Sequence, residues 1–216
     1  MGNSEVNFDV VIIGAGPAGC VAAALLHGKG YSVKIVERQH FPRFSIGESL
    51  LPQCMEFLAE AGLLDAVQAA AEPHNFQFKN GAAFVRGDAY ADFDFRQKFS
   101  EGRGTTFQVQ RGPFDHALAQ EVERQGVSIA WGHEITRADF EGVRPVLGVK
   151  DEAGDEYELT SAFVLDASGF GRVLPRFLAL DRPSNFPCRS SLFTHVQDNI
   201  TTAEFDREKI LITIHH

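Results

Sequence analysis

The segment VVIIGAGPAGCVAAALLHGKGYSVKIVE, residues 10–37, constrains the fold more than any other stretch of the chain. Val10, Val11, Ile12 and Ile13 form a short apolar run, which reads as a parallel strand buried on both faces. Gly14, Gly16 and Gly19 follow at once in GxGxxG spacing. An alanine-rich stretch from Cys20 reads as a helix that Gly28 and Gly30 end. Val33 opens a second strand, and Glu37 closes it.

Each part has a physical role. Gly14 permits the tight turn from strand to helix, Gly16 lets a diphosphate approach the backbone, and Gly19 allows the helix to pack closely on the strand. The helix start offers free N–H groups and the positive end of its dipole. Pro17 costs little there, because its missing N–H would have had no helical partner. Gly14, Gly16, Pro17, Ala18 and Gly19 are therefore the candidate phosphate cradle. Glu37, about twenty residues on, suits the two hydroxyls of an adenosine ribose and would repel a 2′-phosphate. Strand, turn, helix and acid in one unit make a dinucleotide fingerprint rather than a chance glycine pattern. The unit by itself leaves NAD and FAD open.

Lys and Arg number 20 against 29 Asp and Glu, a net charge of −9. That balance argues against nucleic acid and anionic membranes as partners. The three cysteines, Cys20, Cys54 and Cys188, are scattered and odd in number, which fits a reducing compartment. No signal pattern opens the chain and no apolar run reaches spanning length, so a cytoplasmic location is expected. The histidines never fall in HExxH spacing, and no metal site is expected.

Arg38 and Arg43 place positive charge just past the second strand. A loop over 44–51 centres on Gly47, and Glu48 and Ser49 stand where they can cap a helix over 52–61. A shorter helix follows over 63–71. Asn80-Gly81, between Phe76 and Phe78 on one side and Ala83 and Val85 on the other, predicts a hairpin. Tyr90, Phe93 and Phe95 suggest another strand. A strand at 105–109 leads to a helix over 113–125, with Leu118 and Val122 on its inner face and Gly126 as its cap. Residues 127–131 read as a strand, 135–140, 143–150 and 156–159 as a three-stranded meander, and 162–165 as one more buried strand. Residues 170–180 read as partly helical, and 189–196 and 210–215 as strands.

The run PRFSIGESLLP, coming after GAGPAG, resembles the flavin-dependent halogenases and their relatives, the geranylgeranyl-reductase-like flavoproteins and the single-component aromatic hydroxylases. The resemblance implies FAD as the cofactor. It sets Arg43, Ile46, Gly47, Glu48 and Ser49 along the cofactor or its substrate side. It also gives Arg111 to the diphosphate, Gln108 to the flavin side, and Asp166, Ser168 and Gly169 to a second strand-and-turn that approaches the nucleotide. The pattern FxxKxGaxF resembles the place where halogenases carry their active lysine, which makes Lys79 the candidate catalytic residue. A surface lysine beside a hairpin turn has the same local pattern.

The implied fold is α/β: a Rossmann-like, three-layer nucleotide domain with an inserted, mostly antiparallel sheet. Residues 1–75 and 105–180 are expected to form the FAD-binding domain, and 76–104 with 181–216 the start of a substrate-side sheet. The implied activity is oxidation through reduced flavin and oxygen of an aromatic or apolar small molecule. A halide and a separate flavin reductase are the implied partners. The alternatives are a reductase or dehydrogenase of the geranylgeranyl-reductase type, and a non-catalytic nucleotide-binding module completed by another chain. The family's second FAD motif, a Gly-Asp followed by a Pro-containing loop that closes over the flavin's ribityl chain, does not occur, nor does its WxWxIP signature, so the chain is expected to be the first half of a longer flavoprotein, with self-association through the face left open.

Overall fold

The computed structural model describes residues 6–201 and 205–215. The elements run β1 (Val6–Ile13), α1 (Pro17–Gly28), β2 (Val33–Glu37), α2 (Pro52–Glu60), α3 (Leu64–Ala71), β3 (Gln77–Lys79), β4 (Gly81–Arg86) and β5 (Ala89–Asp94). They continue with β6 (Thr106–Gln108), α4 (Arg111–Arg124), β7 (Ser128–Trp131), β8 (Glu134–Asp139), β9 (Val146–Lys150), β10 (Glu156–Asp166), α5 (Val173–Phe177) and β11 (Lys209–Thr213).

A six-stranded sheet in the order β7-β2-β1-β10-β9-β8 forms the centre. Its first four strands are parallel, and β9 and β8 extend it as an antiparallel meander. Alternation along β1 divides the core. Val10 and Ile12 face the helices with Ile35, Met55, Val67, Phe114 and Leu118. Val11 and Ile13 face the other side with Val36, Ile135, Leu147, Val149 and Leu159. Burial on both faces is why β1 carries four apolar residues in a row instead of alternating with polar ones. Helices α1 to α4 cover one face. The meander curls until β8 touches β2 and, with α5, covers part of the other. This is the expected mixed α/β, Rossmann-like architecture.

The Asn80-Gly81 hairpin does not form. Lys79 ends β3, which pairs antiparallel with β6, whereas Gly81 opens β4, which pairs with β5 and β11. The chain therefore steps between two sheets at Asn80. Asn80 is held there by its N–H donating to the Glu208 carbonyl at 2.8 Å and its carbonyl accepting from the Phe95 N–H at 2.7 Å. Gly81 serves packing, because a Cβ would collide with the Phe93 carbonyl oxygen. The hairpin sits instead at Gly87-Asp88, where Arg86 faces Ala89 and Gly87 has φ +57°.

Three further expectations change. Residues 156–159 and 162–165 belong to one strand, β10, which pairs with β9 along its first part and with β1 along its second. Thr160 and Ser161 between them bring no Gly, Pro, Asn or Asp to break the strand, and its pairing passes from β9 to β1 without a gap. Residues 189–196 pair with no strand, and Leu192 there is fully exposed at 100%. Helix α2 starts from Leu51 with no side-chain cap, because Glu48 and Ser49 are engaged elsewhere.

The two leucines predict opposite results. Leu118 is 0% exposed. Leu118→Ala should cost about 2–5 kcal/mol in denaturant unfolding. Leu192→Ala should stay within roughly 0.5 kcal/mol of the parent. A large loss in the second variant would restore a packed strand at 189–196.

Candidate functional site

The C-terminal ends of β1, β2 and β10 open onto a cleft of about 740 Å³. Backbone bonds lace the three ends together. The Gly14 N–H donates to the Val36 carbonyl at 2.8 Å, and the Ala167 N–H to the Ile13 carbonyl at 2.9 Å. Gly14 has φ +102°, and a Cβ on it would lie 2.7 Å from the Ala167 carbonyl oxygen. A Cβ on Gly19 would collide with the Gly14 carbonyl oxygen. Gly16 caps α1 with no side-chain bond, and the space beside it is open except for Arg43 Nη2 at 3.8 Å from its Cβ position.

The first helical bond of α1 runs from the Cys20 N–H to the Gly16 carbonyl at 2.9 Å. The N–H groups of Ala18 and Gly19 therefore precede the first intrahelical donor, Cys20, and are left without an intrahelical acceptor. No acidic residue stands in that first turn, so the positive end of the dipole is not neutralised from within the helix. The Cys20 thiol beneath donates to the Ala15 carbonyl, and burial, followed by the charges of Asp115 and Glu37, pushes its pKa far up. It is a core residue.

Glu37 is buried at the end of β2. Its Oε2 accepts from the Ala15 N–H at 2.8 Å and its Oε1 from the Gln39 N–H at 2.9 Å. The carboxylate thus ties the phosphate turn to β2. Each oxygen has a further lone pair to offer, and Glu37 and Arg38 both line the cleft.

Arg111 is the first residue of α4. Its Nε and Nη2 donate to Asp115 Oδ1 and Oδ2 at 2.7 and 3.0 Å, and its Nη1 donates to the Ile46 carbonyl at 2.7 Å. Arg43 Nη1 lies 3.1 Å from Asp115 Oδ2, with its guanidinium 4.5 Å from the Phe41 ring centre. Gly47 makes room for this: it has φ +110°, and a Cβ on it would lie 2.9 Å from Arg111 Nη1. Both arginines also line an adjoining hollow of about 600 Å³ with Phe44, Glu48, Gln110 and His195.

The loop over 44–51 lies against β6. The Val109 N–H donates to the Glu48 carbonyl at 2.8 Å and the Leu50 N–H to the Phe107 carbonyl at 3.2 Å. Ser49, within the loop, forms an antiparallel bridge to Gln108 across this seam. The Glu48 carboxylate turns back to the Gly47 N–H at 2.9 Å. Asp166 accepts from the Ser168 N–H at 2.9 Å and the Leu174 N–H at 2.8 Å, so it shapes its own turn, whereas Ser168 and Gly169 line the main cleft.

Lys79 is not a surface lysine at a turn. It is 2% exposed. Its Nζ donates to Ser49 Oγ at 2.7 Å and to the Leu50 carbonyl at 2.9 Å, and it sits 5.3 Å from the Phe95 ring centre. Burial pushes its pKa below the ordinary value, and the charge of Cys54 opposes that more weakly. The candidates thus form two groups: the cradle with Glu37, Arg43 and Arg111 at the cleft, and Lys79 and Gln108 against Ser49 of the loop.

Asp115 was missed in the sequence. Its signal is there. Arg111 and Asp115 are four apart, and Asp115 shares a helical stripe with Leu118, Ala119 and Val122. An acid on an apolar stripe is a buried acid with a cationic partner.

Residues 7–199 match the family model of the FAD binding domain, and the chain belongs to that family. It is 34% identical over 196 residues to a tryptophan 2-halogenase of Chondromyces crocatus, covering 89% of this chain and 34% of that protein. A 1H-pyrrole-2-carbonyl-(peptidyl-carrier protein) chlorinase of Pseudomonas fluorescens is 33% identical over 195 residues, covering 82% and 42%. Among solved structures, a flavoprotein/dehydrogenase from Cytophaga hutchinsonii is 53% identical with a TM-score of 0.78, covering 83% of this chain and 44% of that one. The flavin-dependent halogenase CmlS is 36% identical with a TM-score of 0.71, covering 81% and 31%. The chain therefore spans well under half the length of the relatives it matches.

FAD is the cofactor of this domain. The residues fit it: the open side of Gly16, the free N–H groups of α1 and the two arginines suit a diphosphate, and Glu37 suits a ribose. Among the described residues, no group of three His, Cys, Asp or Glu could hold a metal, and no helix is long and apolar enough to cross a membrane.

Lys79 provides a test by pH. Its folded pKa is depressed, so the unfolded chain holds this proton more tightly. Its contribution to stability therefore grows as pH rises from the folded value toward 10.5. A nitrogen-15 NMR titration of Lys79 Nζ should show a midpoint below 10.5, and a midpoint at or above that value contradicts the burial argument.

Proposed function

We propose that this chain serves a flavin-dependent oxidoreductase of the halogenase type, acting on an aromatic or apolar small molecule. In this reading residues 1–75 and 105–180 hold FAD, and 76–104 with 181–216 begin the sheet that faces the substrate. The observation that carries it is the buried Lys79 amine, fixed on Ser49 and Leu50 beside the loop that also positions Arg111. A buried ammonium has a desolvation cost, and a merely solubilising lysine has no need of such a place.

When bound and reduced, FAD would supply with oxygen the oxidising power that turns a halide into a transferable electrophilic halogen, or that transfers hydroxyl. The chain's own residues do the rest. The N–H groups of Ala18 and Gly19 receive the diphosphate, Arg43 and Arg111 balance its charge, and Glu37 orients the ribose. Lys79 has three N–H donors, of which two are used on Ser49 and Leu50. The third is left to hold an oxidised halogen and direct it at the substrate. Its lowered pKa also makes the neutral, nucleophilic amine accessible at lower pH. The halide and a separate flavin reductase complete the reaction.

A second reading has its own support. The solved protein that is 53% identical is described as a flavoprotein/dehydrogenase. In that reading the cleft holds FAD for electron exchange with an apolar substrate, and no halide takes part.

The two readings separate in one assay. The protein is supplied with reduced FAD, oxygen and aromatic acceptors, with and without chloride or bromide, and the products are read by mass spectrometry. A halide-dependent product that falls by roughly 10²-fold or more in Lys79→Ala, with FAD affinity unchanged, supports the first reading. An oxidised product formed equally without halide overturns it in favour of the second.

A further inference from the structure

Asp115 is a carboxylate with no exposed side-chain surface, in a helix whose neighbouring inward residues are Leu118, Ala119 and Val122. An apolar residue in such a place is often as stable as a buried ion pair, so the acid calls for a reason beyond stability. Its surroundings supply one. Its two oxygens hold Arg111 by a two-point fork and Arg43 by a further contact. Those arginines come from different elements, one from the loop after β2 and the other from the first turn of α4.

We propose that Asp115 is the positioning residue of an arginine clamp that reads the diphosphate of FAD. The inference deepens the reading that the cleft takes FAD, and it rests on it. Arg111 has five N–H donors. Two go to Asp115 and one to the Ile46 carbonyl, which leaves two for a ligand. Arg43 reaches over the phosphate turn itself, with Nη2 3.8 Å from where a Gly16 Cβ would stand. Both arginine side chains are mostly covered, at 18% and 14% exposure. They are held by Asp115, by the Phe41 ring and by the Ile46 carbonyl rather than sampling solvent. With one negative and two positive charges the cluster keeps a net charge of about +1 toward the diphosphate. Arg and carboxylate suit this work, because the fork fixes the plane and direction of the remaining donors.

The sign of the effect separates positioning from simple charge. Asp115 is an anion beside an anion site. By Coulomb's law alone, its removal should tighten a diphosphate ligand. If it acts by holding the arginines, its removal should loosen one, because two long side chains regain their freedom.

The experiment titrates the purified chain with FAD and with ADP. Asp115→Asn should weaken both by roughly tenfold or more, with far-UV circular dichroism unchanged. The charge-preserving pair Arg43→Lys with Arg111→Lys should weaken both similarly, and adding Asp115→Asn to that pair should cost nothing further. Unchanged or tighter binding in Asp115→Asn overturns the inference and leaves the cleft reading standing. So does a loss that persists in full in the lysine background. If Asp115→Asn does not fold, Asp115→Glu, which keeps the charge and displaces the fork, takes its place: FAD affinity equal to the parent's overturns the clamp, and a loss of roughly tenfold that vanishes in the lysine background supports it. A parent chain that binds neither FAD nor ADP removes the cleft reading and this inference together.

Discussion

The close approach of α1 to the end of β1 is the contact on which the rest of the structure depends. A side chain at Gly19 would collide with the Gly14 carbonyl oxygen, and one at Gly14 would crowd Ala167 at the end of β10. With both absent, the helix start, the turn and three strand ends meet in one place. The Glu37 carboxylate locks the arrangement by accepting from the Ala15 N–H. The backbone N–H groups proposed to meet the diphosphate are then set on a rigid turn, where hydrogen-bond donors need little reorganisation to meet a ligand.

Charge is distributed in keeping with that geometry. The chain as a whole is acidic, at −9, yet Arg38, Arg43, Arg111 and Arg176 all line the main cleft. Opposite signs on the surface and in the cleft discourage unspecific polyanions and still draw one anionic ligand to one place. The loop over 44–51 joins this cleft to the second group of candidates. Its Ile46 carbonyl holds Arg111, and its Ser49 hydroxyl and Leu50 carbonyl hold Lys79. One short loop therefore touches both the phosphate end and the buried amine.

The unit β1-α1-β2 was legible residue by residue, because each of its constraints is local: a turn, a helix start, an acid at a strand end. The strand at β7, the helix α4 and the meander were legible from periodicity. The failures share a different cause. Asn80-Gly81 has turn chemistry, but pairing of Lys79 with Thr106 and of Gly81 with Asp94 and Lys209 overrode it. Residues 189–196 have a strand's composition and no partner strand, and a strand needs one. The burial of Lys79 depends on residues about thirty positions away, so no local pattern records it. Asp115 was readable in principle, from an acid on an apolar stripe four residues after an arginine.

The central claim is that this chain grips FAD by its adenosine diphosphate half. The most direct measurement is an equilibrium titration of the purified protein with FAD, followed by flavin fluorescence, and then competed separately with ADP and with FMN. Saturable one-to-one binding that ADP displaces and equimolar FMN does not is the expected result. Absence of binding, or displacement by FMN as effective as that by ADP, would contradict it.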